Sequence, residues 1–264
     1  MKKTLTILFA IILISCNGKN KNGVSEVNLE KKELISKPDK QKNIELEESI
    51  YNKILDSIKL YRFEPIDTLT VSYEPEPKQV QKYKISNNEI EIYRKDSLNI
   101  SWIKINSNKF LVDNLKTINP RVDGENERMF CNNLEKIKLY NFKNNKIIFL
   151  VFSFHPCTGL GCSVSDYLIY NVNQKQINLF GTFRCADMDL YNFPFSSEIN
   201  FIGTEYKGNF HGSTPVSFIS RVYSMKKDGK FKIFKDKNDR EYYYKITTYP
   251  NDTLKHIECK PNWF

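Results

Sequence analysis

From Asp67 onward, apolar and polar residues alternate in short runs rich in Val, Ile, Tyr, Phe and Thr, and Asn, Gly, Lys and Asp interrupt the runs. A period of two is the mark of a strand with one face buried. The pattern predicts strands over 68–73, 81–85, 89–94, 100–105 and 109–112. Beyond a polar gap holding Pro120 and Gly124 it predicts further strands over 136–142, 147–154, 165–172, 176–183, 199–202, 218–225, 231–235, 241–249 and 254–259. Ser86-Asn87-Asn88, Asn106-Ser107-Asn108, Lys143-Asn144-Asn145, Asn173-Gln174-Lys175 and Asp228-Gly229 have the chemistry of hairpin tips. The expected fold is therefore mainly β, an antiparallel meander in a sandwich, barrel or propeller-like arrangement.

Before these runs the period lengthens. Ile50, Ile54, Ile58 and Tyr61 recur every three or four residues, which predicts a helix over 44–62. Glu45, Glu47 and Glu48 near its start and Lys59 and Arg62 near its end suit the helix dipole. This one N-terminal helix is expected to pack on the domain edge, with an amphipathic partner-binding helix as the sharper alternative. Residues 17–43 are polar and free of aromatics, and read as a solvated tether with a mean reach of about 30 Å. The organisation expected is 1–15 removed, 16–43 a tether and 44–264 the folded domain, with 114–126 either a subdomain boundary or one long loop.

The first residues carry an address. Met1-Lys2-Lys3 precedes an apolar run from Leu5 to Ile14 broken only by Thr6, and Ser15-Cys16 follows. Ten residues of helix cover about 15 Å, half of a bilayer's hydrocarbon core, so the run reads as a signal-peptide core and not a span. At Leu13-Ile14-Ser15-Cys16 it resembles the lipobox of bacterial lipoproteins. The resemblance implies that Cys16 becomes the lipidated first residue of the mature chain, anchored in a bilayer by its acyl chains. Asn17 is not the aspartate of inner-membrane retention, so the expected location is the cell envelope, on an outer membrane facing the periplasm.

Five cysteines remain after Cys16, an odd number. If the strands from 136 to 183 run antiparallel in order, Cys131, Cys157, Cys162 and Cys185 converge on one rim, with His155, Asp187 and Asp189 beside them. In an oxidising compartment the expected chemistry is structural disulfides, Cys157–Cys162 and Cys131–Cys185. The alternatives are a zinc site, since Cys-x₄-Cys with a nearby His lies within ligand spacing, and a redox-active pair.

The formal net charge is +9, and loss of residues 1–15 leaves 38 basic against 31 acidic side chains. The excess lies in 17–43 and in 221–245, the latter with nine Lys or Arg and four acids. That second stretch reads as an edge hairpin whose lysines discourage strand-to-strand aggregation, or else as a face for anionic headgroups or an acidic partner. No motif supports nucleic acid. The tyrosines Tyr242, Tyr243, Tyr244 and Tyr249 point to cross-strand packing before sugar or peptide stacking.

The chain has no Gly-x-Ser-x-Gly elbow, phosphate loop or His-Glu-x-x-His helix. His155, His211 and His256 are its only histidines, and the neighbours His211 and Ser213 lie too close in one loop to make a nucleophile and its base. The functional expectation is a non-catalytic envelope lipoprotein with no cofactor, binding another envelope protein, a peptide or a glycan. An envelope enzyme or thiol protein built on the cysteine rim, or an immunity lipoprotein of the periplasm, is the alternative.

Overall fold

The structure of the protein, a computed structural model, describes residues 37–119, 130–154, 164–183, 189–208, 215–248 and 255–261. Turn chemistry sets the first register. Between β2 (Val80–Ile85) and β3 (Asn88–Arg94), and between β4 (Ile100–Ile105) and β5 (Asn108–Leu111), two-residue turns place Ser86 and Asn106 at positive φ. The turn between β6 (Asn133–Phe142) and β7 (Asn145–Ser153) puts both Lys143 and Asn144 there, as a type I′ hairpin requires. The twist of such turns matches that of the strands, so neighbours in sequence become neighbours in the sheet.

The fold is mainly β, with antiparallel sheets packed as a sandwich and no closed barrel among the described residues. β2, β3, β4 and β5 form a front sheet in that order. A central sheet runs β1 (Asp67–Thr70), β6, β7, β8 (Val164–Asn171) and β9 (Gln176–Phe183). A back sheet runs β10 (Leu190–Tyr191), β11 (Asn200–Lys207), β12 (Val216–Met225), β14 (Tyr243–Thr248) and β15 (Lys255–Lys260), with β13 (Phe231–Ile233) paired to β12.

The central sheet is covered on both faces. Tyr140, Phe149, Tyr167 and Phe180 face the back sheet, where Phe180 lies 4.5 Å from Phe201 and 5.1 Å from Tyr223 between ring centres. Ile137, Ile148, Leu150, Phe152 and Leu168 face the front sheet and meet Ile90, Ile92, Ile103 and Ile105. Every residue of β8 is buried, and β7 is buried from Ile147 onward. A strand with two dry faces reads as a continuous apolar run, which is why Ile147 to Phe152 shows no alternation.

The helix α1 (Lys37–Leu60) starts at Lys37, inside the stretch that reads as tether. Pro38 in its first turn explains this, because a missing N–H costs nothing there. Ile54 and Ile58 enter the core between the central and back sheets, Ile50 stays 40 % exposed, and the helix lies beside β15. At the far edge, Ile118 donates its N–H to Leu179 O and Gly181 donates to Asn119 O, so 117–119 runs along β9. Asn119 is fully buried and accepts the Tyr223 hydroxyl at 2.9 Å. Gly203 permits that approach, since a Cβ there would sit 3.0–3.1 Å from Tyr223 and Asn119. Residues 37–264 form one compact unit.

The basic stretch 221–245 spans the end of β12, β13 and the start of β14: β13 pairs with β12 alone among the described strands, so the β12–β13 hairpin has an edge strand, while β12 and β14 have neighbours on both sides. Several of its cations have carboxylate partners. Arg221 pairs with Glu205, Lys226 with Glu198 at 2.8 Å and Arg240 with Asp236 at 2.7 Å. Sequence charge counting missed this because Glu205 and Glu198 lie outside the stretch.

Candidate functional site

The register of the central sheet aligns Asn133, Ser153, Ser165 and Thr182 in one row across β6, β7, β8 and β9. The chain enters β6 from Cys131 beside this row, leaves β7 and re-enters β8 beside it, and leaves β9 beside it. The β6–β7 and β8–β9 turns lie at the opposite end. Cys157, Cys162, Cys185, His155 and Asp187 lie outside the described residues. Cys131 is fully buried, and its backbone N–H donates to Asp166 Oδ2 at 2.7 Å. Phe130 meets Phe152 edge-on at 4.9 Å beside it. No disulfide joins two described residues: Cys259 sits on β15 in the back sheet, with its Sγ 3.8 Å from Pro261 O. Among the described residues no three of His, Cys, Asp and Glu cluster as a metal would need.

Asp189 lies elsewhere. Its side chain is 2 % exposed, and its partners are Lys138 and Tyr140 in the middle of β6, about 17–24 Å along the strand from Asn133. Oδ2 accepts from Lys138 Nζ at 2.5 Å and from Arg62 Nε at 3.0 Å. Oδ1 accepts the Tyr140 hydroxyl and the Leu190 N–H at 3.0 Å. Burial and the adjacent carboxylate push the Tyr140 phenol far above its ordinary pKa, so it acts as a hydrogen-bond donor and never as a base. Arg62 follows the helix, Lys138 and Tyr140 belong to the central sheet, and Asp189 leads into β10. With both oxygens engaged, the carboxylate ties three elements together and has nothing left for a ligand.

A different charge is incompletely used. Along β3 the inward row is Asn88, Ile90, Ile92 and Arg94, so an arginine ends an otherwise apolar stripe. A register shift at Tyr93/Arg94 marks the place, as bulges do where a side chain is re-aimed. Arg94 is 4 % exposed. Its Nε donates to Gln81 Oε1 at 2.8 Å, and Gln81 in turn donates to Glu74 Oε2 at 3.4 Å. Among the described residues its two terminal nitrogens meet no acceptor within hydrogen-bond distance. Arg94 lines a cavity of about 80 Å³ together with Tyr73, Glu74, Ser97, Asn132 and Asn133. Burial lowers the Arg94 pKa, opposed by Tyr83 and Glu74, and a guanidinium so placed stays charged. Asn132 and Asn133 lie next to Cys131, so this cavity lies at the end of the central sheet where β6 begins.

Sequence reasoning passed over both Arg94 and Asp166. Parity was the available signal for the first, since Arg94 shares its face with Ile90 and Ile92. For the second it was an acid inside the apolar run Val164–Asn171. The tyrosine run serves packing: Tyr244 is buried, Tyr242 lies 4.3 Å from Phe195 between ring centres, and Tyr243 donates to Glu258 at 3.1 Å. No family profile, curated protein or solved structure matches the chain.

Proposed function

We propose that this protein is a lipid-anchored envelope module that binds a partner without catalysing a reaction, using the end of its sandwich where Arg94, Asn132 and Cys131 lie. The lipobox-like Leu13-Ile14-Ser15-Cys16 supports anchoring through acylated Cys16, on an outer membrane with the domain facing the periplasm. The observation that carries the binding reading is the contrast between two buried charges. Asp189 has both oxygens engaged, as a structural group should, whereas Arg94 makes one side-chain hydrogen bond among the described residues, through Nε, and lines a cavity. A buried cation held with donors to spare is a poor stabiliser and a good recognition element.

The reading makes two measurable demands. Mass spectrometry of protein purified from membranes should find residues 1–15 gone and Cys16 acylated, and Cys16→Ala should leave the membrane fraction. A photo-crosslinking side chain at Leu98, which is 52 % exposed at the cavity's lip, should capture an envelope component. The same probe at Leu60, 80 % exposed on the helix, should not. Membrane retention of Cys16→Ala, or equal capture at both positions, would refute the proposal.

A further inference from the structure

We propose that the Arg94 cavity takes a single carboxylate group, which rests on the binding reading above and names the chemistry it recognises. The guanidinium is held in place before any ligand arrives: Gln81 fixes Nε at 2.8 Å, and Arg94's own N–H is tied to Gln79 O at 2.8 Å. The plane is thereby set, and the two terminal nitrogens form the fork that pairs with a planar oxyanion through parallel hydrogen bonds.

Charge selects among oxyanions. Among the described residues that line the cavity Arg94 is the cation, and Glu74 lines it too, close enough to act on Arg94 electrostatically while bonded to Gln81. One positive group beside one negative group tolerates a guest of charge −1 better than one of −2, so a carboxylate is favoured over phosphate. Size agrees. A cavity of about 80 Å³ exceeds the roughly 10–15 Å³ that admits one water, so a carboxylate has room in it. Ser97 on the β3–β4 turn and Asn133 at the head of β6 line the cavity as well. The carboxylate comes either from a free small acid or from the C-terminus of a chain laid along the Tyr73 lip, and experiment separates the two.

The test uses the full mature protein in detergent micelles at pH 7, with thermal unfolding followed by near-UV circular dichroism at constant ionic strength. Sodium acetate is expected to raise the melting temperature by about 2 °C or more over sodium chloride at tens of millimolar. An N-acetylated dipeptide with a free C-terminus should do the same, while its C-terminal amide and sodium phosphate should match chloride. A larger shift with the dipeptide acid than with acetate assigns the site to a chain end, and an equal shift assigns it to a free acid. Arg94→Met should abolish the acetate shift. Glu74→Gln, at an exposed position, should tighten acetate about threefold and admit phosphate. Acetate indistinguishable from chloride, an acetate shift that survives Arg94→Met, or phosphate equal to acetate overturns the proposal. If Arg94→Met does not fold, Glu74→Gln decides it, since unchanged acetate affinity in that variant is equally fatal. Neither membrane release of Cys16→Ala nor crosslinking from Leu98 depends on acetate, so failure of the carboxylate proposal is distinguishable from failure of the binding reading it rests on.

Discussion

Tyr140 gives its hydroxyl hydrogen to Asp189 in a site sealed from water, and the result is a phenol that stays neutral to very high pH. In the unfolded chain the same phenol ionises near pH 10. Stability from Tyr140 is therefore complete below pH 10 and falls as the pH rises further, because the unfolded state then binds fewer protons than the native one. One such group contributes a slope of about 1.4 kcal/mol per pH unit. Tyr140→Phe is expected to cost about 1–2 kcal/mol at neutral pH through the lost hydrogen bond. Above pH 10 it should lose stability less steeply than the natural chain by about that slope. Urea unfolding of both proteins between pH 7 and 11 checks this, and equal alkaline slopes would show that the Asp189 cluster does not hold the phenol neutral. Little of that cluster was legible in the sequence. Asp189 stands beside Asp187 there, and only the fold carries it to Lys138 and Tyr140 on a strand some fifty residues away.

At the scale of elements, the amphipathic helix separates a packing role from a partner-binding one. Ile54 is 0 % and Ile58 5 % exposed against the back core, whereas Ile50 is 40 % exposed. Ile54→Ala should cost about 2–4 kcal/mol, and Ile50→Ala well under 1 kcal/mol, in equilibrium urea unfolding. A large cost at Ile50 instead would place that side chain in the core. The strands themselves were readable. β4 and β9 match their predicted ranges, and the hairpin turns fall where Asn, Lys and Gly allow positive φ. Two elements were not. β10 has only two residues, too few for any period, and pairs only because the chain returns beside β11. The first turn of α1 is polar throughout, so nothing in its hydrophobic pattern announced it.

At the scale of the molecule, the described sheets stack so that one sheet serves two cores. Phe149 and Leu150 are adjacent in β7, both 0 % exposed, and face the back and front sheets respectively. Phe149→Ala should cost about 3–5 kcal/mol and Leu150→Ala about 2–5 kcal/mol. Both should lower one shared transition, with tryptophan fluorescence and far-UV circular dichroism coinciding. Separate transitions would mean that the front sheet folds apart from the rest. Local chemistry determined much of this protein: where strands begin and turn, that the chain is mainly β, and that its start resembles an acylation signal. Those features depend on residues within a few positions of one another. Tertiary structure alone decided the number of layers, which charges are paired and which keep spare donors, and that β12 lies inside its sheet. These depend on contacts between residues far apart in the chain, and a pattern of period two shows that a strand has a buried face without showing what covers it.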